Sequence, residues 1–147
     1  MRDSLPRFGA AIKETPFLFD TMIQGTGFDL AALPRIGKLL ERYGERFVRR
    51  VLTDRECERM PVASAGRTAY VAGRFAAKEA AVKALGTGFS HGVGLHDVEI
   101  LTLESGRPRL VLHGEAATRA ERMGVTTLHV SISHERDVAG AMVILES

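Results

Sequence analysis

A regular pattern of apolar and polar positions begins at Met22. Short side chains and glycines from Met22 to Leu30 predict a strand that ends in a carboxylate, Asp29. The next apolar residues recur at helical spacing and would form one stripe, made of Ile36, Leu39, Leu40, Tyr43 and Phe47. Pro34 suits the first turn of this helix, and Gly44 is expected to bend or split it.

The rest of the chain combines one long helix with several short strands. Thr53 and Glu56 have the spacing of a capping box and predict a short helix that ends before Pro61. The clearest helical segment covers 68–85, which is rich in alanine and is followed by Gly86. After it come predicted strands at 98–103 and 109–113, a helix at 115–123, and a hairpin of strands at 126–133 and 138–145. This order predicts an α+β fold with an antiparallel sheet.

Length and composition narrow the class of protein by exclusion. The chain has 147 residues, of which 45% are hydrophobic and 26% charged, which is typical of one folded globular domain. A single cysteine, Cys57, excludes an intramolecular disulfide and fits a reducing cytoplasm. No apolar run approaches the roughly 20 residues that span a bilayer, so no membrane partner is expected. Residues 1–21 are weakly patterned, and we expect an extension of unknown role before a domain at 22–147.

Positive charge is concentrated in one segment. The net charge is +2, but 33–50 alone carries six basic and two acidic residues. Five of the basic residues would share one face of a continuous helix: Arg35, Lys38, Arg42, Arg46 and Arg49. Such a face is either simply solvated or a docking surface for an acidic partner. Nucleic acid is a weaker alternative, because two tyrosines and no tryptophan offer little surface for base stacking.

The long predicted helix carries a candidate metal site. Glu79 and Lys83 are four residues apart and could form an ordinary surface ion pair. If the fold brings Asp29 close, two carboxylates would instead suit Mg²⁺, which needs few protein ligands when a substrate phosphate supplies others. Lys83 would then neutralise phosphate charge. The following Gly86-Thr87-Gly88 is either a helix stop or a place where a ligand approaches the backbone closely.

Six short segments occur in an order that resembles one family. They are Gly25-Thr26-Gly27-Phe28-Asp29, Arg35-Ile36, Gly73-Arg74-Phe75-Ala76-Ala77-Lys78-Glu79-Ala80, Lys83-Ala84-Leu85-Gly86-Thr87-Gly88, Gly106-Arg107-Pro108 and Ser131-Ile132-Ser133-His134. Together they resemble the holo-[acyl-carrier-protein] synthases, the small bacterial-type 4′-phosphopantetheinyl transferases. The resemblance covers about 22–146, and the run around Lys78 and Glu79 is its most specific part.

The resemblance implies a fold and a reaction. The expected fold is that of the 4′-phosphopantetheinyl transferases, an antiparallel sheet packed on a long central helix, assembled as a homotrimer. The family moves 4′-phosphopantetheine from coenzyme A to a serine of apo acyl carrier protein and releases adenosine 3′,5′-bisphosphate, a step of fatty-acid biosynthesis. It also implies Mg²⁺ held by Asp29 and Glu79, and coenzyme A bound in clefts between subunits.

The resemblance also assigns roles to individual residues. Asp29, Glu79 and Lys83 match catalytic positions, and Glu79, or a water that it orients, is our hypothesis for the base. Residues matching positions that bind coenzyme A are Arg74, Lys83, Gly86, Thr87 and Gly88, with Gly106, Arg107, Pro108 and His134 contributed by the neighbouring subunit. Arg35 and Arg42 match positions on the helix that docks the carrier protein. One departure is that Ala31-Ala32-Leu33 stands where the family often has Val-Glu-Ile, so a carboxylate near the metal is missing.

Two other functions remain possible at this stage. One is a non-catalytic module of the same fold that binds coenzyme A or another nucleotide. The presence of both Asp29 and Glu79 in the expected motif positions disfavours it. The other is a nucleic-acid adaptor that uses the basic helix, for which we expect no binding at physiological salt.

Overall fold

The computed structural model describes residues 21–147, so the expected extension lies outside the described residues apart from Thr21. The strands are β1 (Ile23–Ala32), β2 (Val98–Thr102), β3 (Pro108–Leu112), β4 (Thr127–Glu135) and β5 (Val138–Glu146). The helices are α1 (Leu33–Tyr43), α2 (Glu45–Val51), α3 (Asp54–Cys57), α4 (Ser64–Leu85) and α5 (Gly114–Arg122), with a 3-10 turn at Leu95–Asp97.

Two antiparallel sheets surround the long helix α4. The larger sheet has the order β1-β5-β4, and β2 pairs with β3 in the smaller one. In the larger sheet, Asp29 of β1 lies opposite Ala141 of β5, which in turn lies opposite Ile132 of β4. The predicted α+β class, the antiparallel sheet and the central helix are therefore confirmed.

Helix α4 forms the centre of the core because small residues cover most of its surface. The alanines Ala72, Ala76, Ala77, Ala80 and Ala81 are fully buried, and α4 makes its most extensive contacts with β1 and β5. Alanine has the highest helix propensity and the smallest side chain that still excludes water, so the sheet can pack close to the helix axis. No helix within residues 21–147 is long and apolar enough to cross a membrane.

Two predicted boundaries need correction, and one predicted break is confirmed. Strand β1 continues three residues beyond Asp29, to Ala32. Helix α4 begins at Ser64 rather than at residue 68. The helix after β1 ends at Tyr43, because Gly44 has φ +51° and ψ −132°, and a second helix begins at Glu45.

This break divides the basic residues between two helices, so they do not share one continuous face. Arg35, Lys38 and Arg42 lie on α1, whereas Arg46 and Arg49 lie on α2. All five are exposed. The expected single stripe is therefore wrong, although the splitting of the helix at Gly44 was itself predicted.

A buried ion pair connects α3, α4 and β2. The Lys78 ammonium donates to Oε2 of Glu56 at 2.8 Å and to the carbonyl oxygens of Leu95 and Val98 at 3.0 and 2.7 Å. Oε1 of Glu56 accepts from the backbone N–H of Ile100 at 2.8 Å. Glu56 also completes the predicted capping box with Thr53. The pair thus has partners for both charges, which a buried pair requires.

Candidate active site

The first strand lies directly on α4 because two glycines allow it. A Cβ added at Gly27 would overlap the carbonyl oxygen of Ala80, and one at Gly25 would overlap that of Ala84. Two residues along a strand and four along a helix both span about 6 Å, so the two spacings match. Backbone therefore meets backbone, and Asp29, two residues beyond Gly27 on the same face of β1, is brought against the helix.

Asp29 forms an ion pair with Lys83 across this interface. The Lys83 ammonium lies 2.7 Å from Oδ1 of Asp29 and donates to the carbonyl oxygen of Phe28 at 3.2 Å. The side chain of Asp29 is 22% exposed and that of Lys83 is 52% exposed, so the pair stands at the rim of a water-accessible site. The hydrogen bond to Asp29 is the main cause that raises the pKa of Lys83, which keeps the ammonium charged.

Glu79 lies one helical turn before Lys83 and is partly buried. Burial raises the pKa of its carboxyl, and the like charge of Asp29 raises it further. Lys83 and Arg35 oppose the rise. Asp29 and Glu79 thus form a pair of repelling carboxylates with cations on either side, the arrangement that a bound cation would relieve.

The donor set fits Mg²⁺ but not a metal that needs a complete protein cage. Among residues 21–147, no group of three or more histidines, cysteines or carboxylates could hold a metal ion. Two carboxylates are sufficient for Mg²⁺ when phosphate oxygens and water complete its octahedron. Ala31 is buried and Ala32, which precedes α1, is exposed. Both carry only a methyl group, so neither adds an oxygen ligand.

The glycine-containing loop is tied to the end of the helix that carries Glu79 and Lys83. Gly86 adopts the left-handed conformation with φ +72°, and its N–H donates to the carbonyl oxygen of Lys83. The next two N–H groups, of Thr87 and Gly88, both donate to Val82 at 3.1 and 3.2 Å. The predicted helix stop is confirmed, and it places the loop beside Lys83.

Arg74 and His134 lie together in a groove of about 540 Å³ between α4 and the end of β4. The other residues that line it are mostly small or ring-bearing, namely Pro61, Ala65, Gly66, Ala69, Tyr70 and Gly73, together with Ile132. Arg74 is only 7% exposed, whereas His134 is exposed. One chain therefore brings together a cation and an imidazole that sequence reasoning had assigned to different subunits.

The Gly106-Arg107-Pro108 segment does not line this groove, although Pro108 pairs with Thr102, which contacts Arg74. It forms the tip of the β2–β3 hairpin, where Gly106 has φ +83° and Leu103 N–H donates to Arg107 O at 2.9 Å. No hydrogen bond within the described part of the chain links this turn to Asp29, Glu79 or Lys83. Within one subunit these groups do not form a single site.

The two predicted docking arginines differ in their distance from the carboxylates. Arg35, in the first turn of α1, is close enough for its charge to lower the pKa of Glu79. Arg42 lies two turns further on, where its guanidinium stacks 5.2 Å from the centre of the Tyr43 ring. Both are exposed. Helix α1 therefore extends from the carboxylates toward a basic outer surface.

Some residues of this region were missed by sequence reasoning. Tyr70 and Thr102 contact Arg74, and neither belongs to a motif that we singled out. The role of Gly25 and Gly27 was also missed, although glycines two apart in a strand and alanines four apart in a helix are a detectable signal. Lys78 lies beside Glu79 in sequence but points into the core, where the side chain is completely buried.

The amino-acid sequence is similar to that of known proteins. Residues 25–142 match the 4′-phosphopantetheinyl transferase superfamily. The holo-[acyl-carrier-protein] synthase of Nitratidesulfovibrio vulgaris (strain DP4) is 55% identical over 126 residues, which cover 86% of this chain and 100% of that protein.

Two solved structures have the same fold. That of the holo-[acyl-carrier-protein] synthase from Neisseria meningitidis superimposes with a TM-score of 0.77 at 35% identity, covering 86% of this chain and 100% of the other. The enzyme from Bacillus anthracis, in complex with CoA (3′,5′-ADP), gives a TM-score of 0.70 at 39% identity, with 86% and 98% covered.

Proposed function

The chain belongs to the 4′-phosphopantetheinyl transferase superfamily, among its holo-[acyl-carrier-protein] synthases, and from this premise we propose that it is a Mg²⁺-dependent enzyme that modifies apo acyl carrier protein. It moves the 4′-phosphopantetheine group of coenzyme A to a serine hydroxyl. The observation that carries the proposal is the cluster of Asp29, Glu79 and Lys83, assembled by the close contact of β1 and α4.

The transfer has a simple balance. The serine oxygen forms a bond to the phosphorus that carries the pantetheine arm, and the bond from that phosphorus to the bridging diphosphate oxygen breaks. Adenosine 3′,5′-bisphosphate leaves with the electron pair. The serine proton must go to a base, and negative charge grows on the departing oxygen.

Glu79 is the residue best suited to take the proton. Its carboxylate is partly buried beside Lys83 and Asp29, so it could accept the proton directly or through a water that it orients. Lys83, whose charge is secured by Asp29, is placed to stabilise the growing negative charge. Both side chains are on one turn of α4, so the helix fixes their separation.

Asp29 and Glu79 would hold Mg²⁺. When bound, the ion would draw charge from the diphosphate and help to position it. Asp29 would then contact both the ion and Lys83. The Lys83 ammonium would keep its hydrogen bond to the carbonyl oxygen of Phe28. Because Ala31-Ala32-Leu33 supplies no carboxylate, phosphate oxygens of the substrate and water would provide the other ligands of the ion.

Coenzyme A is proposed to bind along the groove of Arg74 and His134 and the Gly86–Gly88 loop. The solved relative with bound CoA (3′,5′-ADP) supports a site for this ligand class in the fold. The groove offers a buried guanidinium and flat walls, which suit a phosphorylated nucleotide. The Gly106-Arg107-Pro108 turn is proposed to reach the same ligand from another subunit.

An assembly of copies, a homotrimer in this proposal, is supported by the outer face of the larger sheet. Apolar side chains on or beside this face are exposed, namely Phe28, Leu30, Val138 and Met142. An exposed apolar patch of this kind is typical of a contact surface. Packing of copies through this face would bring the end of β4 in one subunit close to the neighbouring subunit.

The carrier protein is proposed to dock on α1. Arg35 and Arg42 are exposed there, and acyl carrier proteins are acidic, so charge complementarity would guide the complex. Arg35 stands nearest to Glu79, which fits delivery of the substrate serine to the carboxylates.

The direct test is to incubate the purified protein with coenzyme A, MgCl₂ and apo acyl carrier protein, and to measure the carrier by mass spectrometry. We expect a gain of one phosphopantetheine, appearance of adenosine 3′,5′-bisphosphate, and loss of both when EDTA replaces MgCl₂. Coenzyme A binding without any mass gain would support the non-catalytic module instead. A mass gain that persists in EDTA would overturn the Mg²⁺ requirement alone.

A further inference from the structure

We propose that Tyr70 and Thr102 are positioning residues that hold the Arg74 guanidinium ready to receive an anionic oxygen of coenzyme A. The inference rests on the proposed function, because it assumes that the groove takes this ligand. It adds two residues to the site that no motif of the sequence contains.

The contacts of Arg74 are specific in geometry. Its guanidinium carbon lies 3.4 Å from the centre of the Tyr70 ring, so the cation is stacked on the aromatic face. One terminal nitrogen donates to the hydroxyl of Thr102 at 2.6 Å. A planar group that is stacked on one side and hydrogen-bonded at one edge has little freedom to rotate.

Tyr70 and Thr102 are themselves fixed by rigid parts of the fold. The Tyr70 hydroxyl donates to the carbonyl oxygen of Glu56 at 2.5 Å, and Glu56 is the buried partner of Lys78. Thr102 is the last residue of β2. The Arg74 guanidinium is therefore held by Tyr70, which lies on the same helix and is tied to α3, and by Thr102 of β2.

The charge of Arg74 has no counterion within residues 21–147. It is 7% exposed and forms no salt bridge there, since the one buried carboxylate nearby, Glu56, is paired with Lys78. Its Nε is shielded from solvent and also has no hydrogen-bond partner in this part of the chain. Burial lowers the pKa of the guanidinium, which reflects the same unfavourable environment for its charge.

Such an environment is costly for folding alone but useful for binding an anion. A buried cation without a carboxylate destabilises the free protein, whereas a phosphate oxygen entering the groove gains a strong charge-assisted hydrogen bond. An arginine that is already ordered loses little further entropy when the ligand binds. The groove beside it is open because Ala65, Gly66 and Gly73 have small side chains or none.

The experiment measures coenzyme A affinity by isothermal titration calorimetry and the two Michaelis constants in the transfer assay. The test variants are Thr102→Val, which removes the hydroxyl, and Tyr70→Leu, which removes the aromatic face. Thr102→Ser and Tyr70→Phe are the conservative partners that keep these features. Thr118→Val is the matched control, because it removes a threonine hydroxyl on α5 that bonds only to the Gly114 carbonyl oxygen.

We expect Thr102→Val and Tyr70→Leu to weaken coenzyme A binding about three- to tenfold, the size expected for disordering one arginine side chain. The Michaelis constant for the carrier protein and kcat should change less than twofold. Thr102→Ser and Thr118→Val should bind like the wild type, and Tyr70→Phe, which keeps the aromatic face but loses the hydrogen bond to Glu56, should lie between the wild type and Tyr70→Leu. Repeating the titration with dephospho-coenzyme A identifies the anion. An effect that disappears assigns Arg74 to the 3′-phosphate, and one that persists assigns it to the diphosphate.

Two results would overturn the inference, and a third concerns the proposed function. Unchanged coenzyme A affinity in Thr102→Val and Tyr70→Leu, with Arg74→Ala weakened, would mean that Arg74 needs no positioning. Equal losses for coenzyme A and carrier protein would indicate a general structural effect. If Arg74→Ala itself binds coenzyme A normally, the groove assignment in the proposed function fails, and the inference fails with it.

Discussion

The ammonium of Lys83 lies 2.7 Å from the carboxylate of Asp29, which joins the last turn of α4 to the first strand of the domain. The two residues are 54 positions apart in sequence, so the contact is a product of the fold. Of the two carboxylates, Asp29 therefore has an ion pair, whereas Glu79, one turn earlier on α4, has none in the described part of the chain. This asymmetry suggests different tasks for the two acids, since Asp29 secures the lysine and Glu79 is available to accept a proton.

Replacing Glu79 by glutamine should therefore reduce kcat at saturating MgCl₂ by about 100-fold or more, the usual contribution of a general base. The measurement is the initial rate of carrier modification at increasing MgCl₂ and coenzyme A. The matched control is Glu121→Gln, which changes an exposed glutamate on α5. Near-normal turnover of Glu79→Gln at high MgCl₂ would remove the residue from proton transfer.

Reversing a charge on α1 should affect one substrate and not the other. Arg42→Glu is expected to raise the Michaelis constant for acyl carrier protein at least tenfold and leave that for coenzyme A unchanged, because an attraction to the acidic carrier becomes a repulsion. The difference should shrink as salt is added. Arg42 is a cleaner test than Arg35, whose charge also acts on Glu79.

The exposed Arg109 of β3 provides the control for this charge reversal. Arg109→Glu makes the same change in net charge on a different surface, so it should leave both Michaelis constants within twofold of the wild type. If Arg42→Glu and Arg109→Glu behave alike, or if coenzyme A is affected as strongly as carrier protein, α1 has no docking role.

Adding one methyl group at Gly27 should disturb both stability and activity. The Cβ of Gly27→Ala would overlap the Ala80 carbonyl oxygen, so β1 must move away from α4 and take Asp29 with it. We expect a loss of about 3 kcal/mol in the free energy of unfolding, measured by urea denaturation, and a loss of activity at temperatures where the variant stays folded.

The same substitution, glycine to alanine, should have the opposite effect on stability at Gly37. It lies inside α1, and an added Cβ would meet only the Thr68 methyl group at 3.8 Å, an ordinary contact. Gly37→Ala should thus stabilise the protein by about 0.5–1 kcal/mol through helix propensity. Equal stability losses in the two variants would show that close packing at β1 is not the cause.

The sequence predicted those features that depend on neighbouring residues. The split at Gly44, the Thr53–Glu56 capping box and the stop at Gly86 follow from local backbone chemistry, and all three are confirmed. The residues suggested the carboxylate pair only on the condition that the fold brings Asp29 close to Glu79, and the resemblance then implied it, because its members come from different elements.

Contacts that depend on tertiary packing could not be predicted. Glu56 satisfies the capping box, but its second use, as partner of Lys78 and of the Ile100 N–H, requires knowing where β2 lies. One partner of Arg74 has the same origin, because Thr102 is 28 residues away in sequence. Alanine-rich composition identified the long helix but could not reveal that Lys78 points inward.

The Lys78–Glu56 pair should prove to be one cooperative unit. Lys78→Met leaves a buried carboxylate without its partner and should lower the free energy of unfolding by about 3–5 kcal/mol. The double variant Lys78→Met/Glu56→Gln should lose less than the sum of the single losses. The exposed Lys38→Met serves as control and should change stability by less than about 0.5 kcal/mol. Additive losses would mean that the two residues act independently.

Glu99 gives a prediction about stability and pH. Burial alone would raise the pKa of its carboxyl, but hydrogen bonds from Thr53 and His113 and the charge of Arg55 outweigh burial and lower it. Thr53 donates at 2.7 Å and Arg55 at 3.1 Å, while the side chain of Glu99 is only 3% exposed. The folded state therefore favours the ionised form.

A carboxyl with a lowered pKa in the folded state stabilises the protein above its unfolded pKa, and this contribution is lost as the pH falls through the folded pKa. Glu99→Gln should thus be less stable than the wild type by about 1–3 kcal/mol at pH 7, and the gap should close as the pH falls below about 4.5. Urea denaturation at a series of pH values measures the gap. Glu104→Gln, at the exposed β2–β3 turn, is the control and should be about as stable as the wild type at pH 7. A constant gap for Glu99→Gln would mean that the neutral side chain and the carboxylate are held equally well, contrary to the hydrogen bonds that surround it.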